Sequence, residues 1–314
     1  MSPFVTSVQP VVVVDHLVKR FGPTVAVADV SLSVRPQEIF GLIGPDGAGK
    51  TTLFRILATL LVPDTGQATV LGRDVVKDLW ALRSRIGYMP GRFSLYPDLS
   101  VEENLRFFAS VFGTTIQAEY DRIAPIYRQL EPFRTRRASA LSGGMKQKLA
   151  LCCALVHRPE ILLLDEPTTG VDAVSRREFW DLLHRLKASG LTIVVSTPYM
   201  DEADRCDRVG LMQRGALLAI DTPRGITQAF GRPLFGVRAA DRYRALLTLR
   251  AYPHARTVYP FGETLHYTDA RVSEPASIER DVRAFLAATG LEGVSVAVLS
   301  PTVEDSFMEL MGAP

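Results

Sequence analysis

The stretch Gly44-Pro45-Asp46-Gly47-Ala48-Gly49-Lys50-Thr51-Thr52 constrains this chain more than any other. A glycine, four residues and then Gly-Lys-Thr is the spacing in which consecutive backbone N–H groups converge on phosphate oxygens at a helix N-terminus. Residues 39–43 read as a buried strand running into the loop. After it, Leu53, Ile56, Leu57, Leu60 and Leu61 recur at helical spacing until Pro63-Asp64-Thr65-Gly66 stops them. Lys50 would reach the terminal phosphates as a point charge, the Thr51 hydroxyl would ligate Mg²⁺, and Thr52 would add a hydroxyl on the α-phosphate side. The competing reading, a glycine-rich turn that merely starts a helix, loses ground because strand and helix both flank the loop.

Composition narrows the alternatives. With 314 residues, 47% of them apolar, the chain can bury a large core and divide in two. A net charge of +2 leaves no electrostatic footprint for nucleic acid, and the cluster Arg134, Arg136 and Arg137 reads as a solvated face. Cys152, Cys153 and Cys206 form no Cys-x-x-Cys pair and fit a reducing cytosol. No charged segment followed by an apolar run opens the chain, and runs such as 11–14 and 161–164 are far shorter than the ~18 residues a bilayer requires. Any membrane role is expected to come through a partner.

Residues 11–14 and 30–34 read as strands around a turn at Phe21-Gly22-Pro23. The stretch 100–156 is mostly helical, interrupted at Gly113, near Pro132 and at Ser142-Gly143-Gly144, which implies a helical subdomain over about 92–158. Residues 161–164 and 192–196, separated by a helix over about 175–188, have the character of parallel strands in a doubly wound sheet. The expected organisation is an α/β domain over 1–220, a linker over 221–233 and a second domain over 234–314. That last part reads strand, helix, strand, strand, helix, strand, helix, a small α+β unit of ferredoxin-like order. Thr302 and the acidic pair Glu304-Asp305 start its final helix, and no Cys or His cluster there resembles a metal site.

Two further segments bear on the glycine loop. The run 161–164 delivers Asp165-Glu166 to a strand end, where ligands of open α/β sheets gather, so Asp165 can hold magnesium through water and Glu166 can orient an attacking water. In Leu141-Ser142-Gly143-Gly144-Met145-Lys146-Gln147, a hydroxyl and two glycines open an apolar helix and make a second anion-binding terminus. One ATP does not need two.

At this point the sequence resembles the ATP-binding cassette (ABC) family over roughly its first 220 residues. The resemblance implies a P-loop nucleotide-binding domain that holds ATP and Mg²⁺. It also implies that the signature residues Ser142, Gly143, Gly144 and Gln147 cap the γ-phosphate of ATP held by an opposite cassette. Phe21 falls where the family stacks an aromatic ring on adenine, and Asp172 in Thr169-Gly170-Val171-Asp172 falls in the loop that communicates between the two sites. Met200-Asp201-Glu202-Ala203-Asp204, Cys206-Asp207-Arg208, the stretch through Pro223 and the C-terminal unit resemble ATP-binding subunits of ABC-2-type exporters of the drug-resistance kind. The partners so implied are a second cassette, as homodimer, heterodimer or tandem half, and a membrane permease. That permease would hold the chain on the inner face of the cell membrane. It would dock near 92–96, with Phe107, Phe108 and Phe112 contributing.

Two positions depart from the family pattern. Gly91 stands where a glutamine is usual, and Pro198 replaces the switch histidine, so neither a side-chain amide nor a titratable ring is available. Pro198 is expected in a helix's first turn with Thr197 as its cap. His16, His157, His184, His254 and His266 occupy no other switch position. The reading is an ATPase whose own site turns over slowly while its signature completes a partner's site. The competing readings are a nucleotide-binding scaffold without turnover and a soluble cassette acting on DNA or ribosomes. A long coiled-coil insertion between Gly49 and Ser142 would have favoured the last, and none is present.

Overall fold

Alternation of buried and exposed residues pairs two neighbouring strands as a hairpin: β1 (Val12–Phe21) and β2 (Thr24–Val34) run antiparallel about the turn at Gly22 and Pro23. The computed structural model describes residues 9–91 and 95–312; the expected docking loop at 92–96 therefore lies mostly outside the described residues. β3 (Ile39–Ile43) is buried along its whole length, and α1 (Lys50–Leu57) follows the glycine loop. β4 (Thr65–Val70) and β5 (Arg73–Asp74) complete a four-stranded sheet in the order β2-β1-β4-β5. This antiparallel sheet is an addition to the doubly wound sheet the sequence implied, and its period-two burial is that of strands with one wet face.

After α2 (Leu79–Arg83), the chain enters the central sheet at β6 (Ile86–Met89) and leaves it for α3 (Val101–Val111), α4 (Ile116–Tyr127) and α5 (Gly143–Leu155). It returns through β7 (Ile161–Asp165), α6 (Ala173–Ala188), β8 (Thr192–Thr197), β9 (Arg208–Gln213) and β10 (Ala216–Asp221). The central order is β10-β9-β3-β8-β7-β6, parallel throughout except for β10 at one edge. Register does the positioning: Ile43 pairs with Thr197, and Ser196 with Asp165, so the glycine loop and Asp165-Glu166 emerge side by side. One apolar core, including Val14, Val27, Phe40, Leu53, Phe54 and Met212, joins the two sheets through α1.

Helical spacing predicts α1 through Leu61, but the helix ends at Leu57. Thr59 takes a left-handed φ of 62°, its N–H bonds Ile56 O, and Leu60 N–H reaches back to Arg55 O. These two bonds form a Schellman closure, and Arg83 secures it by donating to both Thr59 Oγ1 and Thr59 O. Leu60 is thereby turned outward.

Packing divides the chain into Met1–Pro223 and Arg224–Pro314. The segment 221–233, expected as a linker, carries a short helix, α7 (Pro223–Gln228), started by a proline that has no N–H to leave unpaired. The second unit runs β11 (Leu234–Arg238), α8 (Arg242–Arg250), β12 (Ala255–Phe261), β13 (Thr264–Asp269), α9 (Pro275–Ala288), β14 (Ser295–Leu299) and α10 (Val303–Gly312). Its antiparallel sheet has the order β12-β13-β11-β14. That is the split βαβ arrangement of ferredoxin-like domains. Thr302 caps α10 as expected. Asp305, the acid expected in the first turn, is fully buried and accepts from Tyr259, His266 and Thr302.

Candidate functional site

Two of the loop's glycines are there because nothing larger fits. A Cβ on Gly44 would lie 2.0 Å from Met212 O, and one on Gly49 would lie 2.1 Å from Ala26 O, with φ 103° besides. Gly49 is also the N-cap of α1 and offers no side-chain acceptor, so the first-turn donors of α1 are left to a ligand. Pro45, Asp46 and Gly47 are exposed at the loop's outer bend, while Ala48 is buried.

Lys50, Thr51, Asp165 and Glu166 converge at the ends of β3 and β7. Lys50 is 3% exposed; its Nζ donates to Gly44 O at 2.7 Å and Pro45 O at 3.0 Å, and lies 3.2 Å from Glu166 Oε1. Thr51 Oγ1 donates to Asp165 Oδ1 at 3.2 Å, and Ser196 Oγ donates to the same oxygen at 2.5 Å. Ser196 also accepts the Glu166 N–H through both its hydroxyl and its carbonyl, which holds Glu166 at φ 49°. Glu166 remains partly exposed and faces the same cleft as Lys50.

That cleft, about 480 Å³, is bounded by the loop from Gly47 to Thr52, by Phe21, half exposed at the β1–β2 turn, and by Glu166 and Arg214. The donor set suits Mg²⁺: a hydroxyl and a carboxylate side by side, with no cluster of three or more His, Cys, Asp or Glu among the described residues that would cage the ion. A hard cation that keeps waters and takes phosphate oxygens needs no more from the protein.

The second glycine-rich helix start is built differently. Ser142 caps α5 by accepting Met145 N–H at 3.4 Å, and Gln147, in the helix's second turn, is half buried. A Cβ on Gly143 would stand 3.0 Å from Gly170 O, and one on Gly144 2.6 Å from Ser175 Oγ. The tip of α5 thus rests on the segment from Gly170 to Ser175. Asp172 caps α6 there by accepting the N–H groups of Val174 and Ser175, and the Ser175 N–H holds its carboxyl below the usual range. None of Ser142, Gly143, Gly144 and Gln147 lines the cleft beside Lys50.

Gly91 lies against the acidic pair, since a Cβ there would be 3.1 Å from Asp165 O and 3.6 Å from Glu166 Cβ. Pro198 does not open a helix. The following 3₁₀ turn runs Met200–Arg205 with Tyr199 as its N-cap, and Thr197 Oγ1 accepts Tyr199 N–H across the proline. Sequence reasoning missed Glu202. It is 2% exposed, accepts from Thr197 Oγ1 at 2.6 Å and Thr168 Oγ1 at 3.1 Å, and its Oε1 has no partner among the described residues. A buried carboxylate between two strand-end segments gives no periodic signal. Arg214 was missed for a similar reason: it stands alone in a hairpin far from any motif.

A family model described as ABC transporter matches residues 27–169. Over 308 residues the chain is 40% identical to the probable multidrug ABC transporter ATP-binding protein YbhF of Escherichia coli (strain K12), covering 96% of this chain and 52% of that protein. It is 37% identical over 299 residues to Nod factor export ATP-binding protein I of Bradyrhizobium diazoefficiens, covering 94% of each. The chain therefore spans about half the length of YbhF and nearly all of the second relative. The dimeric post-hydrolysis structure of the ATP-binding cassette MJ0796 with ADP and Pi superposes with TM-score 0.60 at 25% identity, covering 67% of this chain and 98% of that one.

Proposed function

The chain belongs to the family of ABC transporter ATP-binding proteins, and from that premise we propose that it binds Mg·ATP at residues 44–52 and energises a membrane exporter by pairing with a second cassette. The observation that carries this reading is the convergence of Lys50, Thr51 and Glu166 in one cleft with Phe21, with the buried Asp165 hydrogen-bonded to Thr51. Lys50, now held by two loop carbonyls and Glu166, exchanges them for phosphate oxygens when nucleotide enters. That exchange frees Glu166 to orient water. Thr51 and Asp165 would hold the magnesium, which would supply charge neutralisation on the phosphates.

The signature at Ser142, Gly143 and Gly144 lies outside its own cleft, in keeping with a role at a partner's nucleotide. The segment from Glu166 to Ser175 touches both, so Asp172 is positioned to couple them. Gly91 and Pro198 favour a site that binds well and turns over slowly, because losing one positioned group costs on the order of 10²–10³ in phosphoryl-transfer rate.

No helix among the described residues is long and apolar enough to cross a membrane. An apolar groove of about 430 Å³, lined by Leu60, Tyr88, Leu95, Phe108, Val111 and Phe112, suits a cytoplasmic helix of an ABC-2-type permease. Held there, the chain would sit peripherally on the inner membrane face. The test is ATP binding and hydrolysis by the purified chain, alone and with a permease and second cassette. Tight binding with slow turnover alone, accelerated by the partners, supports the proposal. Fast hydrolysis alone that Glu166→Gln abolishes removes the slow-site reading, and no nucleotide binding removes the whole. Pro198→His together with Gly91→Gln should raise a slow rate about tenfold or more. No gain from that pair would favour the scaffold reading.

A further inference from the structure

Of the two cations in the nucleotide cleft, the one named by the motif is already engaged. Lys50 is buried and bonded to Gly44 O, Pro45 O and Glu166. Arg214 lines the same cleft, is exposed, and makes no hydrogen bond or ion pair with any described residue. It occupies the tip of the β9–β10 hairpin, where Arg214 at φ 48° and Gly215 at φ 84° occupy the two central positions of the turn. Two successive positive φ values describe a type I′ turn, which favours Asn, Asp or Gly at its first central residue. An arginine there is unfavourable for the backbone.

The tip is also fixed. Gly215 N–H donates to Ala48 O at 2.9 Å, within the phosphate loop itself, and Gly215 O accepts from Ala28 N–H at 2.8 Å. The hairpin therefore carries the guanidinium as an attachment to the loop and to β2.

Resting on the ATP-binding reading above, we propose that Arg214 is a nucleotide-binding residue whose guanidinium meets the polyphosphate of the incoming nucleotide and sets affinity rather than turnover. A guanidinium is permanently charged and presents a planar fork of donors that matches phosphate oxygens. An exposed, uncommitted cation at the mouth of a cleft also draws anions in from solution. Lys50 would then engage after its carbonyl partners have been displaced.

The experiment is competition against a fluorescent ATP analogue on the full chain, using ATP, ADP and adenosine. Arg214→Asn is the main variant, because Asn tolerates the left-handed backbone and so leaves the turn intact; Arg214→Lys keeps the charge without the fork. We expect Arg214→Asn to raise Kd for ATP and ADP about three- to tenfold, with the loss shrinking as salt is raised. Adenosine affinity and kcat at saturating ATP should change by less than about twofold, and Arg214→Lys should fall between. Unchanged ATP and ADP affinity overturns the proposal. An equal loss for adenosine also overturns it, since the group would then be reading the base. A wild-type chain that binds no nucleotide overturns the ATP reading as well, whereas a wild type that binds beside an indistinguishable Arg214→Asn removes only this inference.

Discussion

Helices α1 and α5 both begin in glycine-rich sequence, yet their first turns are finished in opposite ways. At α1 the cap is Gly49 in a left-handed conformation with no side-chain acceptor, and a buried lysine follows at once. At α5 the cap is Ser142, whose hydroxyl already takes one N–H, and the two glycines are packed against Gly170 and Ser175. Helix α10 goes further and supplies its own anion: Thr302 and Asp305 bond each other reciprocally, a capping box completed by a buried carboxylate. The difference teaches that a helix start kept for a ligand is one from which the chain has withheld its own acceptors. By that standard α1 is open to a ligand, α10 is closed, and α5 stands between them with an exposed serine and glycine.

The largest expected effect separates chemistry from binding at the α1 start. Glu166→Gln should lower the hydrolysis rate on the order of 10²–10³ while ATP still binds. Parallel loss of binding, measured by nucleotide competition, would break the proposed distinction between a carboxylate for chemistry and a loop for binding.

Next comes the backbone that leaves the α1 start open. Gly49→Ala places a Cβ 2.1 Å from Ala26 O at φ 103°, and should cost about 2–4 kcal/mol in chemical denaturation as well as ATP affinity. Gly143→Ala, at 3.0 Å from Gly170 O, should cost less and leave the chain's own ATP affinity unchanged. Equal losses at the two glycines would erase the contrast.

A smaller effect should mark the closed start at α10 by pH. Burial pushes the Asp305 carboxyl up, but hydrogen bonds from His266, Thr302 and Tyr259 outweigh it and hold it at about 2, against an ordinary value of 3.8. A depressed folded value means that the stabilisation is fully present above pH ~4 and lost as pH falls through about 2. Denaturation of the C-terminal unit followed over that window should show the loss, and Asp305→Asn should abolish its pH dependence.

The smallest change tests the intermediate start. Ser142→Ala should cost about 1 kcal/mol of stability, the typical worth of an N-cap hydroxyl. It should leave ATP binding at residues 44–52 intact and slow hydrolysis only in the paired state. A defect in the isolated chain's nucleotide affinity would place the signature at its own site and overturn the division of labour.

Much of the site was legible in the sequence because its parts are local. The glycine loop, its lysine and threonines, and the acidic pair at the end of an apolar run each declare themselves within a few residues, through backbone demands that only glycine meets or through the length of a strand. What was illegible was set by distant atoms. Leu60 and Leu61 continue the helical pattern, but Arg83, from another helix, binds Thr59 and secures the helix's end. Pro198 reads as a helix start, but Thr197 is also engaged by Glu202 and the turn begins two residues later. The residues 221–233 have a linker's composition and nevertheless carry a helix.

Sequence by itself determined that this chain has a strand, a glycine-rich loop and a helix in that order, a second glycine-opened helix, and a C-terminal βαββαβ unit. Those follow from periodicity and from φ requirements, which are properties of neighbouring residues. Only the tertiary structure decided which of these meet. Pairing of Ile43 with Thr197 and of Ser196 with Asp165 brings the loop to its carboxylates, and the hairpin at Gly215, bonded to Ala48, brings Arg214 to the same cleft. Such meetings depend on sheet register and chain closure, which no local pattern encodes.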